Sequence, residues 1–204
     1  MERMPDTSIE QFISICDSAS GFDCKVLFLV WDSRGIIPSS KATNFYRDKE
    51  RIGLSDTRKF AYKNCKIPEL NLNIIKSLPE RWKRRIKILR YEDLALKPSK
   101  LLPDLLEFAG LPMDDNLSKW LYLALHKPET MREQKAAPWR QDSAEGADRW
   151  RWKVHPRGIT LIEHYCKHVM ELMGYKPLDL SYHTQRNIRF SLLENDFGQN
   201  HLSN

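Results

Sequence analysis

The sequence predicts an α/β fold in which a small parallel sheet is flanked by helices. Three observations carry that reading. Two short apolar runs, Lys25–Val30 (KVLFLV) and Ile86–Leu89, each end abruptly in a polar cluster. Stretches with helical spacing of apolar residues lie between and after them. The resulting order of strand, helices, strand and helices is the one that sets parallel strands side by side. Two strands are few for a complete sheet of this class.

The elements follow in order. Residues 7–19 place Ile9, Phe12, Ile13 and Cys16 on one helical face, and Ser18, Ser20 and Gly21 break it. Lys25–Val30 reads as a buried parallel strand, because the run is continuously apolar and rich in Val and Leu. Trp31-Asp32-Ser33-Arg34-Gly35 follows at its carboxyl end, where α/β sheets place ligands. Asp32 or Ser33 can cap the next helix, with Pro38 in its first turn. Lys41 to Arg85 reads as mostly helical and is punctuated by Pro68 and Pro79.

The second strand ends in Arg90-Tyr91-Glu92-Asp93. Tyr91 packs, and Glu92 or Asp93 caps a helix rather than forming a catalytic pair. A helix after Pro98 carries Leu101, Leu102, Leu105, Leu106 and Phe108, and Gly110 and Pro112 end it. Asp114 or Asp115 starts another helix. Residues 127–149 read as polar and irregular. Pro156 opens a last helix with Ile159, Ile162, Tyr165, Cys166, Val169, Met170 and Met173 at helical spacing, ended by Gly174.

Composition bounds the function. The 204 residues carry 33 Lys+Arg against 27 Asp+Glu, a formal charge of +6, with 41% hydrophobic and 29% charged residues. This is a globular composition, neither disordered nor membrane-spanning. The mild basic excess suits an anionic partner or a dispersed surface charge. No apolar run approaches the roughly 18–20 residues of a membrane span. MERMPDTSIEQ has no signal-peptide h-region, so with Met1 as the true start the chain reads as soluble and cytosolic.

Several site classes drop out. None of the eight glycines makes GxxxxGK[ST] or GxGxxG, and HExxH and GxSxG are absent. The four cysteines (Cys16, Cys24, Cys65, Cys166) contain no CxxC, which argues against a zinc knuckle. They are buried thiols, or two of them pair in an oxidising compartment. His126, His155, His164, His168 and His183 read as surface or packing residues rather than as a base. His164 and His168 lack a third ligand for a metal.

Val30–Ser40 (VWDSRGIIPSS) is the richest segment. Arg34 lies just beyond a strand and Ser39 five residues later, so a guanidinium and a hydroxyl can converge on a phosphate at a helix N-terminus. The alternative is a helix cap with a solvated Arg.

VWDSRGIIPSS resembles the 3′-phosphate-binding segment of sulfotransferases, usually RDPRxxxxSR after a strand. IKILRYEDLALKP resembles their LVRYEDLAxNP segment. WLYLALHKPE, SAEGADRWRWK, Cys166 with MELMGY, and SLLENDF resemble, in the same order, the Golgi carbohydrate 6-O-sulfotransferases. These act on galactose or N-acetylglucosamine of keratan sulfate and related glycans. The likeness runs from about Lys25 to Phe197.

The resemblance implies a P-loop-type sulfotransferase fold and 3′-phosphoadenosine 5′-phosphosulfate as sulfuryl donor. It implies a glycan acceptor, no metal and a Golgi lumenal location. Arg34 and Ser39 fall on positions holding the donor's 3′-phosphate. Ser143, Trp150 and Arg151 fall in the segment closing over the nucleotide. One disulfide, Cys65–Cys166, is implied as well.

Two departures stand out. Trp31 replaces the motif's first Arg and Ser33 its Pro, and an indole N–H does not replace the lost charge. The family's phosphosulfate loop and first strand belong far upstream, whereas 24 residues precede Lys25. The chain therefore reads as the C-terminal portion of one sulfotransferase domain over residues 1–204, and as inactive alone. Residues 1–24 are a lead-in, 25–180 the core and 181–204 the tail. The alternatives are a non-catalytic, sulfotransferase-like glycan-binding protein, or a basic module binding nucleic acid or heparin through Arg81–Arg85 and Arg149–Lys153. The family match leaves nucleic acid out.

Overall fold

The computed structural model describes residues 8–18, 21, 23–42, 60–125, 143–178 and 181–194. His126 and most of the stretch expected to be irregular lie outside these residues. So do residues 43–59 of the middle segment and the end of SLLENDF.

The two expected strands form and pair. Strand β1 (Val26–Val30) runs parallel to β2 (Ile86–Arg90), with Val26 opposite Ile86 and Val30 opposite Arg90. The period-2 alternation of strand side chains sends Phe28 and Ile88 to the core. Leu27 and Leu29 point the other way and are 45% and 42% exposed. The expected strand buried on both faces is thus corrected to one covered on a single face among the described residues.

Helix α1 (Ile9–Ser18) precedes β1. Its free end is satisfied from far along the chain, because the Ile9 N–H donates to Asn71 Oδ1 at 2.9 Å. Helix α2 (Ser33–Ala42) starts directly after β1 and is capped by Asp32, whose Oδ1 accepts from the Arg34 N–H at 2.9 Å. Because α2 begins at Ser33, Pro38 sits in its second turn rather than the first and deprives the Arg34 carbonyl of its helical partner.

A π-helical turn (Tyr62–Lys66) leads into α3 (Ile67–Ser77), and α4 (Glu80–Lys83) precedes β2. Helix α5 (Tyr91–Leu96) follows β2 at once, and α6 (Pro98–Ala109) ends at left-handed Gly110 as expected. Helix α7 (Asp115–Leu125) is capped by Asp114, whose Oδ1 accepts from the Leu117 N–H. The end of the segment read as irregular forms α8 (Ser143–Asp148), and α9 (Trp150–Lys153) follows just beyond it. Helix α10 (Pro156–Leu172) is the long one, but not the last: α11 (Tyr182–Arg186) follows.

The main core gathers Val30, Ile37, Leu72, Val169 and Met173 between the sheet end, α2, α3 and α10. Both disulfides tie this architecture. Cys65 of the π-helical turn bonds Cys166 of α10, as the resemblance implied. Cys16–Cys24, which the sequence left unassigned, links α1 to the lead-in of β1.

Candidate functional site

The site lies at the carboxyl ends of β1 and β2, where each strand turns directly into a helix. Burial there falls on charged residues. Arg34 is 0% exposed and Asp32 3%. Asp32 grips Arg34 with both oxygens: Oδ1 accepts from Nε at 2.9 Å and Oδ2 from Nη2 at 2.8 Å. Arg34 Nη1 donates to Glu163 Oε1 of α10 at 3.0 Å and to the Lys176 carbonyl at 2.9 Å. Trp150 covers the guanidinium, with Cζ 4.9 Å from its ring centroid.

The sequence of α2 permits this cover. A Cβ on Gly35 would lie 3.1 Å from Trp150 Cδ1, so glycine lets the indole approach the helix. Burial alone would lower the Arg34 pKa; Asp32 and then Glu163 outweigh it, and the guanidinium is held above its usual value. Glu163 is shifted upward by burial, opposed by the Leu178 N–H and Arg34.

A second cluster adjoins the first. Glu92 Oε1 accepts from the Asp32 N–H at 3.0 Å, and Oε2 accepts from the Tyr175 hydroxyl at 2.6 Å. Arg90 donates to Asp93 through Nε (2.6 Å) and Nη2 (3.1 Å), and through Nη1 to the Met173 and Gly174 carbonyls. Gly174 turns left-handed (φ 64°), and a Cβ there would meet Arg90 Nη1 at 3.3 Å. Neither Glu92 nor Asp93 caps α5, contrary to the sequence expectation. Glu92 instead ties β1 to the turn after α10, and Asp93 neutralises Arg90. Tyr91 does pack, against Trp31, with ring centroids 4.8 Å apart.

Burial, reinforced by Asp32, pushes the Glu92 carboxyl from the usual 4.5 up to about 7. The folded state therefore holds this proton more tightly than the unfolded chain. Its contribution to stability is greatest below about pH 4.5 and falls as pH rises toward 7, where ionisation costs ~3 kcal/mol. Denaturation midpoints at pH 5 and pH 7.5 should separate by less in Glu92→Gln than in the native chain. An equal separation in both would show that Glu92 does not titrate in this window.

The sequence-designated residues can now be placed. Arg34, Trp150 and Arg151 come together beneath the carboxyl edge, all buried. The donors that Arg34 would offer a phosphate are taken by Asp32, Glu163 and Lys176. Arg151 pairs with Asp148 at 2.6 Å and donates to the carbonyls of Gln185, Asn187 and Phe190. Ser39 lies exposed on α2. Ser143 opens α8, which packs on α5.

The histidines are scattered. His155 caps α10, its Nδ1 accepting from the Arg157 N–H; His164, His168 and His183 are exposed on helices. Among the described residues no group of three metal-ligating side chains forms, and no helix is long and apolar enough to cross a membrane. Trp82 and Trp150 are 3% and 6% exposed, whereas Trp152 of the Arg149–Lys153 cluster is 51% exposed.

Sequence reasoning missed Glu163, Tyr175, Lys176 and Gln185 as partners of the site. Glu163 shares the polar side of a long helix with several other charges, and nothing local marks it.

Comparison with known proteins supplies the remaining evidence of kinship. No protein-family model matches the chain. Carbohydrate sulfotransferase 1 of Danio rerio is 30% identical over 190 residues, covering 83% of this chain and 42% of its own length. Carbohydrate sulfotransferase 3 of Tetronarce californica is 28% identical over 183 residues, covering 84% and 40%. Carbohydrate sulfotransferase 4 of Mus musculus is 26% identical over 179 residues, covering 82% and 46%. The chain thus spans about two fifths of the length of the curated relatives it matches. It is a homologue of the carbohydrate sulfotransferases 1, 3 and 4.

Proposed function

We propose that the chain is the C-terminal portion of a carbohydrate 6-O-sulfotransferase domain that works in the Golgi lumen. The donor is 3′-phosphoadenosine 5′-phosphosulfate. The acceptor is the 6-hydroxyl of galactose or N-acetylglucosamine in a glycan of the keratan sulfate type. One observation carries the reading: the likeness to carbohydrate sulfotransferases covers 83% of the chain. Two disulfides suit an oxidising compartment.

In the reaction a bond forms from the sugar oxygen to sulfur, and the bond from sulfur to the donor's bridging oxygen breaks. The hydroxyl proton passes to a general base, and the nucleotide leaves with its 5′-phosphate. This chain contributes the end of the site that holds the nucleotide. Ser39 on α2 and Ser143 at the start of α8 contact the donor. Arg34, Trp150 and Arg151 act as positioning residues beneath it, because their polar atoms are already bound within the fold. Arg34 fixes where α2 begins, and α2 presents Ser39.

Calorimetric titration with 3′-phosphoadenosine 5′-phosphate tests the reading. Ser39→Ala is the variant to use, because it leaves the buried charges of Arg34, Asp32 and Glu163 in place. It should weaken binding about tenfold to a hundredfold, the loss of one hydrogen bond to a charged group. A native chain that takes up no nucleotide would overturn the assignment.

A further inference from the structure

The sequence carries one short pattern that the sulfuryl transfer does not use. Asn116-Leu117-Ser118 is the one Asn-x-Ser/Thr triplet in the 204 residues, and neither Leu117 nor Lys119 is proline. In a chain that enters the secretory pathway, such a triplet is an acceptor for an N-linked oligosaccharide.

The structure places the triplet where a large polar addition fits. Asn116 lies in the first turn of α7, and residues 109–116 are exposed throughout. Other groups hold the start of this helix. Asp114 Oδ1 accepts from the Leu117 N–H at 2.7 Å, and Ser118 Oγ donates to the Asp114 carbonyl at 2.9 Å. The Asn116 amide takes no part in either bond, so a substituent on its nitrogen leaves the cap intact. Trp120 lies one helical turn further on the same face and is exposed as well. A glycan on Asn116 therefore extends over solvent-facing side chains, and no core residue has to move.

The triplet is also open before the fold closes. At 11 residues, α7 is marginal as an isolated helix and waits on tertiary packing. A chain crossing into a lumen thus presents Asn116 in extended form, with the Ser118 hydroxyl not yet held by Asp114.

We propose that Asn116 is an N-glycosylation site. Its amide nitrogen forms a bond to C1 of the reducing-end N-acetylglucosamine of a polyprenyl-pyrophosphate-linked oligosaccharide. The bond from C1 to the pyrophosphate oxygen breaks, and the polyprenyl pyrophosphate leaves with that electron pair. One amide proton passes to a base of the transferase. The proposal rests on the lumenal location given above and is independent of the donor and acceptor readings.

The full-length protein, produced under its own targeting in a eukaryotic host, is treated with peptide N-glycanase in heavy-oxygen water and its peptides are mapped by mass. The expected result is an aspartate carrying heavy oxygen at position 116. Asn116→Gln and Ser118→Ala should each abolish the glycan, and Ser118→Thr should keep it. Heavy oxygen at position 116 that persists in Ser118→Ala marks simple deamidation and overturns the site. An unmodified Asn116 in protein that carries either disulfide also overturns it, and leaves the lumenal reading standing. An unmodified Asn116 with Cys16, Cys24, Cys65 and Cys166 all free overturns both.

Discussion

Replacing Arg34 by methionine is expected to destabilise the fold by about 3–5 kcal/mol, the usual cost of removing one partner from a buried ion cluster. The loss is large because two carboxylates depend on this guanidinium. Asp32 gives it both oxygens, and Glu163 reaches it from α10. Without Arg34 the two must protonate, find water or separate, and each route disturbs the junction between β1 and α2. Total stabilities of single domains run to about 5–15 kcal/mol, so this substitution alone brings the chain close to unfolding.

Glu163→Gln should cost less, since Asp32 and the Lys176 carbonyl still hold Arg34. Urea unfolding of Arg34→Met, Glu163→Gln and the double variant measures the coupling. The two changes should be clearly non-additive, with the double variant recovering part of the summed cost. Simple additivity, or an Arg34→Met chain as stable as the native one, would remove the cluster from the account of stability. The same dependence makes Arg34 a poor probe of ligand binding.

Loss of the Cys65–Cys166 bridge should be of similar size. Its partners are 101 residues apart, and both are 1% exposed. Chain entropy for a loop of that length gives about 4–5 kcal/mol. The Cys16–Cys24 bridge spans 8 residues and by the same relation is worth only ~2–3 kcal/mol. Thermal melts of Cys65→Ala/Cys166→Ala and Cys16→Ala/Cys24→Ala, each against the native chain, would rank the two. Non-reducing peptide mapping supplies the independent check. Alkylation of all four cysteines in native protein, or a larger shift from the short bridge, would contradict the ordering.

Much of the fold was legible because it is local. Apolar runs bounded by polar clusters located both strands to within a residue, and Asp32, Asp114 and Gly110 marked helix ends through their own cap chemistry. The site was less legible because its contacts are not local. Arg34 looked free for a ligand, since Asp32 was read only as a helix cap and the second carboxylate, Glu163, lies 129 residues away. Glu92 looked like a cap, yet its hydroxyl donor Tyr175 lies 83 residues on. Residues 143–149 looked irregular because short helices carry little periodicity, and α8 is stabilised by packing on α5 rather than by its own pattern.

The long span between the paired strands also governs how the chain must reach this structure. Asp32 and Glu92, which seal the end of the parallel pair, are 60 residues apart. A parallel pair admits no tight hairpin, so the loop must close before pairing yields any return, and such topologies fold slowly. Until then Leu27 and Leu29 belong to an unpaired, apolar strand open to neighbouring chains. Success in folding thus becomes a race between a slow intramolecular search and a concentration-dependent encounter with other molecules.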